Sequence, residues 1–382
     1  MDSRTRQTIQ LIHNSPWSAS FALAGAGSSA LGWLLEVSGA SRTILETLVP
    51  YSTASLERYL DNASQKQAVS HATAKLMAQA AYRQSVNLKH DSSPVLGVSC
   101  TATIATDKPK RGEHRCHVGI WSAMGWHTYS LTLEKGRRNR ETEELVVSRL
   151  LLRALAQATS VPDSVELELL ENEVIEESKH TYRDALEALL DKHVQTAIYL
   201  ADGTWAADHY HIGGILPGSF NPLHDGHMML AKAASNMLGD PVVYELSVTN
   251  ADKPALSAEA IRQRVSQFTG HGTVIVSDTR LFSDKAKLFP GSTLVIGTDT
   301  LSRLVDPHYY EDDKVRMLMS LSEIESSGCR FLVAGRLQDG RYRTLTDVSV
   351  PHRFSDMFKE VPESSFREDL SSSELRSTRG AS

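Results

Sequence analysis

From residue 213 onward, short apolar runs alternate with longer stretches in which apolar residues return every three to four positions. The runs at 215–216, 242–248, 273–276, 294–297 and 331–334 have the length of buried strands. The stretches at 228–238, 258–268 and 314–325 have the period of helices packed by one face. Strand and helix in alternation predict a parallel sheet wound by crossover helices, with ligands at the carboxyl ends of the strands. The earlier part of the chain is patterned differently. Helical spacing at 30–37, 64–84 and 142–157 is mixed with strand-like runs at 95–100, 117–123 and 128–133. The last two runs flank Met124-Gly125-Trp126, a short connection suited to a hairpin. This predicts an α/β domain with a mixed sheet.

Between these regions the composition turns acidic. Residues 165–170 are strand-like, 171–177 are carboxylate-rich and read as a solvated face, and 182–193 have helical spacing. Asp202-Gly203 reads as a turn and the polar stretch to His211 as a linker. The pair His209-x-His211 lacks a third ligand, so no protein metal site is expected there. The expected organisation is a first domain at 8–160, a connecting segment at 161–211 and a second domain at 212–382. A length of 382 residues agrees, because a single core stops growing near roughly 250 residues.

Composition narrows the partners. With a formal net charge of -6, 23% charged residues and 41% hydrophobic ones, the chain lacks the basic excess of a broad nucleic-acid surface. Any polyanion it holds is expected to be small and held locally. Cys100, Cys116 and Cys329 are scattered without metal spacing, which predicts reduced thiols and a cytoplasmic location. The apolar run at 19–37 is interrupted by Ser20, Ser28 and Ser29 and follows Asp2, Arg4 and Arg6, so neither a membrane span nor a leader is expected. The expected partners are small-molecule nucleotides, with no nucleic acid and no membrane; the pattern is compatible with a homo-oligomer.

The most informative stretch is 213–227, Gly-Gly-Ile-Leu-Pro-Gly-Ser-Phe-Asn-Pro-Leu-His-Asp-Gly-His. A buried strand runs into a Gly-Ser turn, and two histidines three positions apart stand where a helix begins. The unpaired N–H groups of a first helical turn and the axial dipole both favour phosphate. Gly218 and Ser219 let backbone N–H groups approach a phosphate closely, and His224 and His227 are suited to donate hydrogen bonds to phosphate oxygens. At the far end, Ser371, Ser372 and Ser373 are helix-capping residue types, and Ser373 with Arg376 places a hydroxyl and a guanidinium three apart on one helical face.

The run from Gly218 through Ser219 and Phe220 to His224 and His227 resembles the nucleotidyltransferase superfamily that carries an H-x-G-H motif. Residues 370–376, Leu-Ser-Ser-Ser-Glu-Leu-Arg, are similar to the Ile-Ser-Ser-Thr-x-x-Arg signature of its pyridine-nucleotide branch. Between them, Gly297 and Asp299 match a Gly-x-Asp segment, and 331–336 matches a last core strand ending in arginine, here Arg336. The resemblance covers 212–378 and is nearest to nicotinamide or nicotinate mononucleotide adenylyltransferases. It implies a Rossmann-like parallel-sheet domain that transfers AMP from ATP, with Mg²⁺, to a mononucleotide and releases pyrophosphate. His224, His227 and Arg376 would be catalytic. Gly218, Ser219, Phe220 and Ser371 to Ser373 would join them in holding ATP, and Lys253, Arg262, Gly297, Asp299 and Arg336 would hold the acceptor. The family's tryptophan after Gly-x-Asp is absent from 301–310, which keeps a phosphopantetheine-type adenylyltransferase, a cytidylyltransferase and a non-catalytic nucleotide sensor as alternatives.

The first domain resembles the CinA C-terminal fold, a nicotinamide-nucleotide amidase, through the segments 31–41, 49–52, 97–101 and 117–121. Its departures matter more. Ala24 stands where the family has its serine and Leu56 where a lysine is expected, and 102–106 replaces the family's glycine loop. Methyl and isobutyl groups neither attack a carbonyl nor move a proton, so this domain is expected to be catalytically inactive, although Ser28 and Ser29 lie close by.

Overall fold

The computed structural model describes residues 1–61, 67–89, 91, 93–107, 111–209, 211–249, 255–338 and 341–367. The chain forms two compact α/β units, Met1–Arg183 and Asp184–Ser382.

In the first unit β1 (Ser18–Ala24), β2 (Ile44–Leu48), β3 (Val95–Thr103), β4 (His114–Ser122), β5 (Gly125–Leu133) and β6 (Ile175–Thr181) form one sheet in the order β2-β1-β3-β4-β5-β6. β1 is parallel to β2 and β3, and the remaining pairs are antiparallel, giving the mixed sheet that the pattern predicts. Among the described residues six helices accompany it: α1 (Ser3–Asn14), α2 (Ser28–Glu36), α3 (Ala40–Thr43), α4 (Thr53–Tyr59), α5 (His71–Leu88) and α6 (Arg140–Ala158). The two-residue period of the strands sorts their side chains by face. Phe21, Val98, Val118 and Leu131 join Ile12 of α1, Leu34 of α2 and Leu151 of α6 in one core. On the opposite face Ala22 packs with Leu56, Met77 and Ala81. Gly97 lets α5 lie directly on the strand, since a Cβ there would come within 2.0 Å of the Ala78 carbonyl oxygen.

The second unit carries β7 (Thr196–Tyr199), β8 (Trp205–Ala207), β9 (Gly214–Pro217), β10 (Val242–Ser247), β11 (Val274–Ser277), β12 (Thr293–Gly297), β13 (Arg330–Ala334), a small hairpin β14 (Arg336–Gln338) and β15 (Arg341–Arg343), and β16 (Phe358–Val361). Its helices are α7 (Ala185–Leu190), α8 (Asp225–Leu238), α9 (Ala258–Ser266), α10 (Phe282–Leu288), α11 (Thr298–Leu304) and α12 (Lys314–Ser326). The main sheet runs β16-β13-β12-β9-β10-β11-β7-β8, parallel from β16 to β11, with β7 and β8 added antiparallel at the edge. The chain thus leaves β9 toward β10 and β11 on one side and returns to β12, β13 and β16 on the other. That reversal is the switch point at which an open parallel sheet leaves a crevice beyond its strand ends.

The expected connecting segment 161–211 is divided between the units. β6 closes the first sheet, while α7, β7 and β8 belong to the second. Residues 165–170 form no strand. Val165 and Leu167 do alternate into the first core, but Glu168 takes a left-handed φ of 52°, which breaks an extended ladder.

Candidate active site

β9 ends at Pro217, and the chain turns through Gly218 to Leu223 before α8 begins with His224 as its N-cap. The turn is anchored from both sides. The Gly218 N–H donates to the Glu245 carbonyl of β10 at 2.9 Å. From the region of α9, Arg264 Nη1 donates to the Ser219 carbonyl at 2.9 Å, and Gln267 Nε2 donates to the Phe220 carbonyl at 3.0 Å. Phe220 itself has φ 43° and is fully buried, with its ring edge-on to His227 and to Phe268 at 5.1 Å each. Gly218 is what admits that ring, because a Cβ there would lie 2.7 Å from it. Phe220, expected to touch ATP, is therefore a floor beneath the site. A large apolar side chain is more stable there than in water.

The two imidazoles stand side by side, with centroids 3.8 Å apart and planes tilted by 34°. The His224 backbone N–H donates to His227 Nδ1 at 3.3 Å. A backbone N–H only donates, so Nδ1 is an acceptor and the neutral ring carries its proton on Nε2. Burial, and then the neighbouring His224 and Arg336, depress the His227 pKa from 6.5 to about 3. At neutral pH it is an uncharged donor at a helix N-terminus.

These residues open on a cleft of about 190 Å³ at the carboxyl ends of β9, β12 and β13. His224, His227, Gly297, Asp299 and Arg336 all line it, so strands and helices far apart in sequence bring these five expected residues together. Asp299 Oδ2 accepts from Arg336 Nη1 at 3.0 Å, with both side chains about one-third exposed. Leu230, Phe282, Ile296 and Phe366 supply an apolar wall. Neither Phe282 nor Phe366 is part of a motif, so the sequence pattern does not single them out.

Arg262 is placed elsewhere. It is exposed in the middle of α9, and its Nη1 donates to Asp184 Oδ2 at 2.6 Å, so it is a partner of the α7 N-cap and not of the cleft. Lys253, Ser371, Ser372, Ser373 and Arg376 lie outside the described residues. A buried ion pair sits behind the cleft: Lys285 of α10 donates to Glu245 Oε2 at 2.7 Å and to Ser247 and Thr279 hydroxyls, while Ser277 Oγ donates to Glu245 Oε1 at 2.6 Å. Neither charge gave a sequence signal beyond its residue type.

The first unit has its own helix start just after Ala24. Gly27, at φ 95°, is the N-cap of α2, and the Glu144 carboxylate of α6 fills that end. It accepts from Gly27 N at 3.0 Å, Ser29 N at 2.9 Å, Ser28 Oγ at 3.2 Å and Ser148 Oγ at 3.1 Å. Ser28 and Ser29 are thus held by a carboxylate, and Leu56 is part of the core.

The second unit is thus a doubly wound α/β domain with paired imidazoles at its switch point. Residues 215–378 match the family described as cytidylyltransferase-like, so the chain carries a domain of the nucleotidyltransferase superfamily. A phosphopantetheine adenylyltransferase from Synechococcus sp. (strain CC9902) is 33% identical over 90 residues, covering 23% of this chain and 55% of that protein. The chain spans about half the length of that curated relative. Solved structures similar to the chain include a competence/damage-inducible protein from Agrobacterium tumefaciens (TM-score 0.32, 18% identity, 42% of this chain and 98% of that one). Another comes from Enterobacter asburiae (TM-score 0.33, 12% identity, 42% and 98%). A CinA superfamily protein from Enterobacter cloacae is a third (TM-score 0.32, 13% identity, 42% and 93%). Among the described residues no helix is long and apolar enough to cross a membrane.

Proposed function

We propose that the second unit transfers a nucleotidyl group, AMP from ATP, to a phosphate-bearing acceptor with release of pyrophosphate. The observation that carries this reading is the His224–His227 pair at the start of α8, opening on the cleft at the switch point. The family match over 215–378 and the adenylyltransferase relative support it.

The chemistry asks for no protein nucleophile. An acceptor phosphate oxygen forms a bond to the α-phosphorus as the bond from that phosphorus to the bridging oxygen breaks, and pyrophosphate leaves. The protein's work is to hold the reactants in line and to stabilise charge on the phosphoryl oxygens. In this reading His227 Nε2–H and the α8 N-terminus donate to the triphosphate, His224 takes a neighbouring oxygen, and Arg336, steadied by Asp299, faces the acceptor. Ser371 to Ser373 and Arg376 grip the outer phosphates, and Lys253 the acceptor's phosphate. Asp299 is a carboxylate in the cleft lining, a donor set suited to Mg²⁺ held largely by substrate phosphates and water. Such an ion would neutralise triphosphate charge.

Nicotinamide or nicotinate mononucleotide is the proposed acceptor, on the strength of the serine-arginine motif at 371–376. A phosphopantetheine-type acceptor is the second reading, favoured by the 33% identical relative. For the first unit we propose binding or packing without amidase chemistry, since Leu56 is core and Glu144 occupies Ser28 and Ser29. Pyrophosphate release with ATP or CTP, Mg²⁺ and each acceptor in turn tests the reading. Release with ATP and one acceptor is expected; a preference for CTP would replace adenylyl by cytidylyl transfer.

A further inference from the structure

The turn that presents His224 and His227 contains a fully buried phenylalanine at φ 43°, a conformation unfavourable for a residue with a side chain that persists only where its surroundings enforce it. One side chain spans the turn. Gln267, the C-cap of α9, donates from Nε2 to the Phe220 carbonyl at 3.0 Å and accepts at Oε1 from the Leu223 N–H at 2.9 Å. Its carboxamide thus satisfies a backbone acceptor at the start of the turn and a backbone donor at its end, and the next residue after Leu223 is His224. A carboxamide offers both functions on one rigid plane, from adjacent atoms. Phe268, the following residue, packs its ring edge-on against Phe220 from the same direction.

We propose that Gln267 is a positioning residue: it holds residues 220–223 so that the two imidazoles meet the phosphates in register. The inference rests on the nucleotidyl-transfer reading for its catalytic consequence, and on hydrogen bonding alone for its structural one. Gln267 touches no reacting atom and acts only through the turn.

Two variants separate its functions. Gln267→Ala removes both bonds. Gln267→Glu keeps an acceptor for Leu223 N–H but sets an oxygen against the Phe220 carbonyl. Both are expected to lower kcat for transfer by roughly 10- to 100-fold, the scale of a small misplacement of a catalytic group. Melting temperature is expected to stay within about 3 °C of wild type, as for a partly exposed hydrogen bond. Amide exchange at 220–227 is expected to accelerate by about tenfold in each variant, without change in the strands. Unchanged exchange in Gln267→Ala would overturn the proposal, and so would faster exchange with wild-type kcat or a fully active Gln267→Glu. If the wild-type protein transfers no nucleotidyl group to any acceptor, the transfer reading fails, while the exchange comparison still decides whether Gln267 holds the turn.

Discussion

Each unit begins a helix beside a glycine turn, and the two starts are satisfied in opposite ways. At α2 the N–H groups of Gly27 and Ser29 are taken by the Glu144 carboxylate, an anion the protein supplies itself. At α8 the cap is a pair of imidazoles, one of them held neutral, with its remaining proton on Nε2 beside a cleft. A helix N-terminus attracts negative charge in either case. Where the chain fills that end with its own carboxylate, the attraction stabilises the fold. Where it caps the end with imidazoles, one of them held neutral, no carboxylate of its own among the described residues lines the adjoining cleft beside that helix start except Asp299, which is paired with Arg336.

The largest effect expected on this contrast comes from behind the second start. The turn before α8 hangs on the Glu245 carbonyl, and the Glu245 side chain is fully buried against Lys285. Lys285→Met leaves an uncompensated buried carboxylate and is expected to cost about 3–5 kcal/mol in chemical denaturation. The double variant with Glu245→Leu is expected to recover most of that loss. A single variant as stable as wild type would mean that the pair does not hold this half of the sheet.

A smaller effect is expected at the first start. Glu144→Ala strips acceptors from two backbone N–H groups and two hydroxyls, and should lose about 1–3 kcal/mol. Added inorganic phosphate should then raise the melting temperature of the variant more than that of wild type. Equal responses would break the contrast, because they would mean that Glu144 does not occupy an anion's place.

A further effect develops only as the pH falls. His227 is neutral in the fold down to a pKa of about 3, whereas the unfolded chain protonates near 6.5. The stability this contributes is complete above 6.5 and is lost as pH falls from there toward 3. In an NMR titration its ring signals should stay flat from about pH 8 to about pH 5. A midpoint near 6.5 would make it an ordinary surface histidine.

Much of this was legible in sequence, for identifiable reasons. β9, the glycine turn and α8 follow one another within 213–238, so a local pattern reports them directly. Gly297, Asp299 and Arg336 were found through motifs at strand ends, where the sheet collects them. Arg262 was misplaced because residue type and helical position do not say which neighbour a cation meets; Asp184 decides it. β6 was missed because it is an edge strand exposed along nearly its whole length, so it shows no alternation, and its carboxylates looked like a solvated helix face. β1 was hidden inside an apolar run, because a central strand buried on both faces has no polar half. Gln267 left no trace, since a clamp formed across some forty residues has no period.

The neutral imidazole at the α8 start is proposed to act on a bound triphosphate. Pyrophosphate release by wild type and by His227→Ala, measured side by side with ATP, Mg²⁺ and the preferred acceptor, tests it most directly. A loss of roughly 10²- to 10³-fold in kcat, at a melting temperature close to wild type, is the predicted result. Equal rates in the two proteins, or no pyrophosphate from wild type with any acceptor, would contradict it.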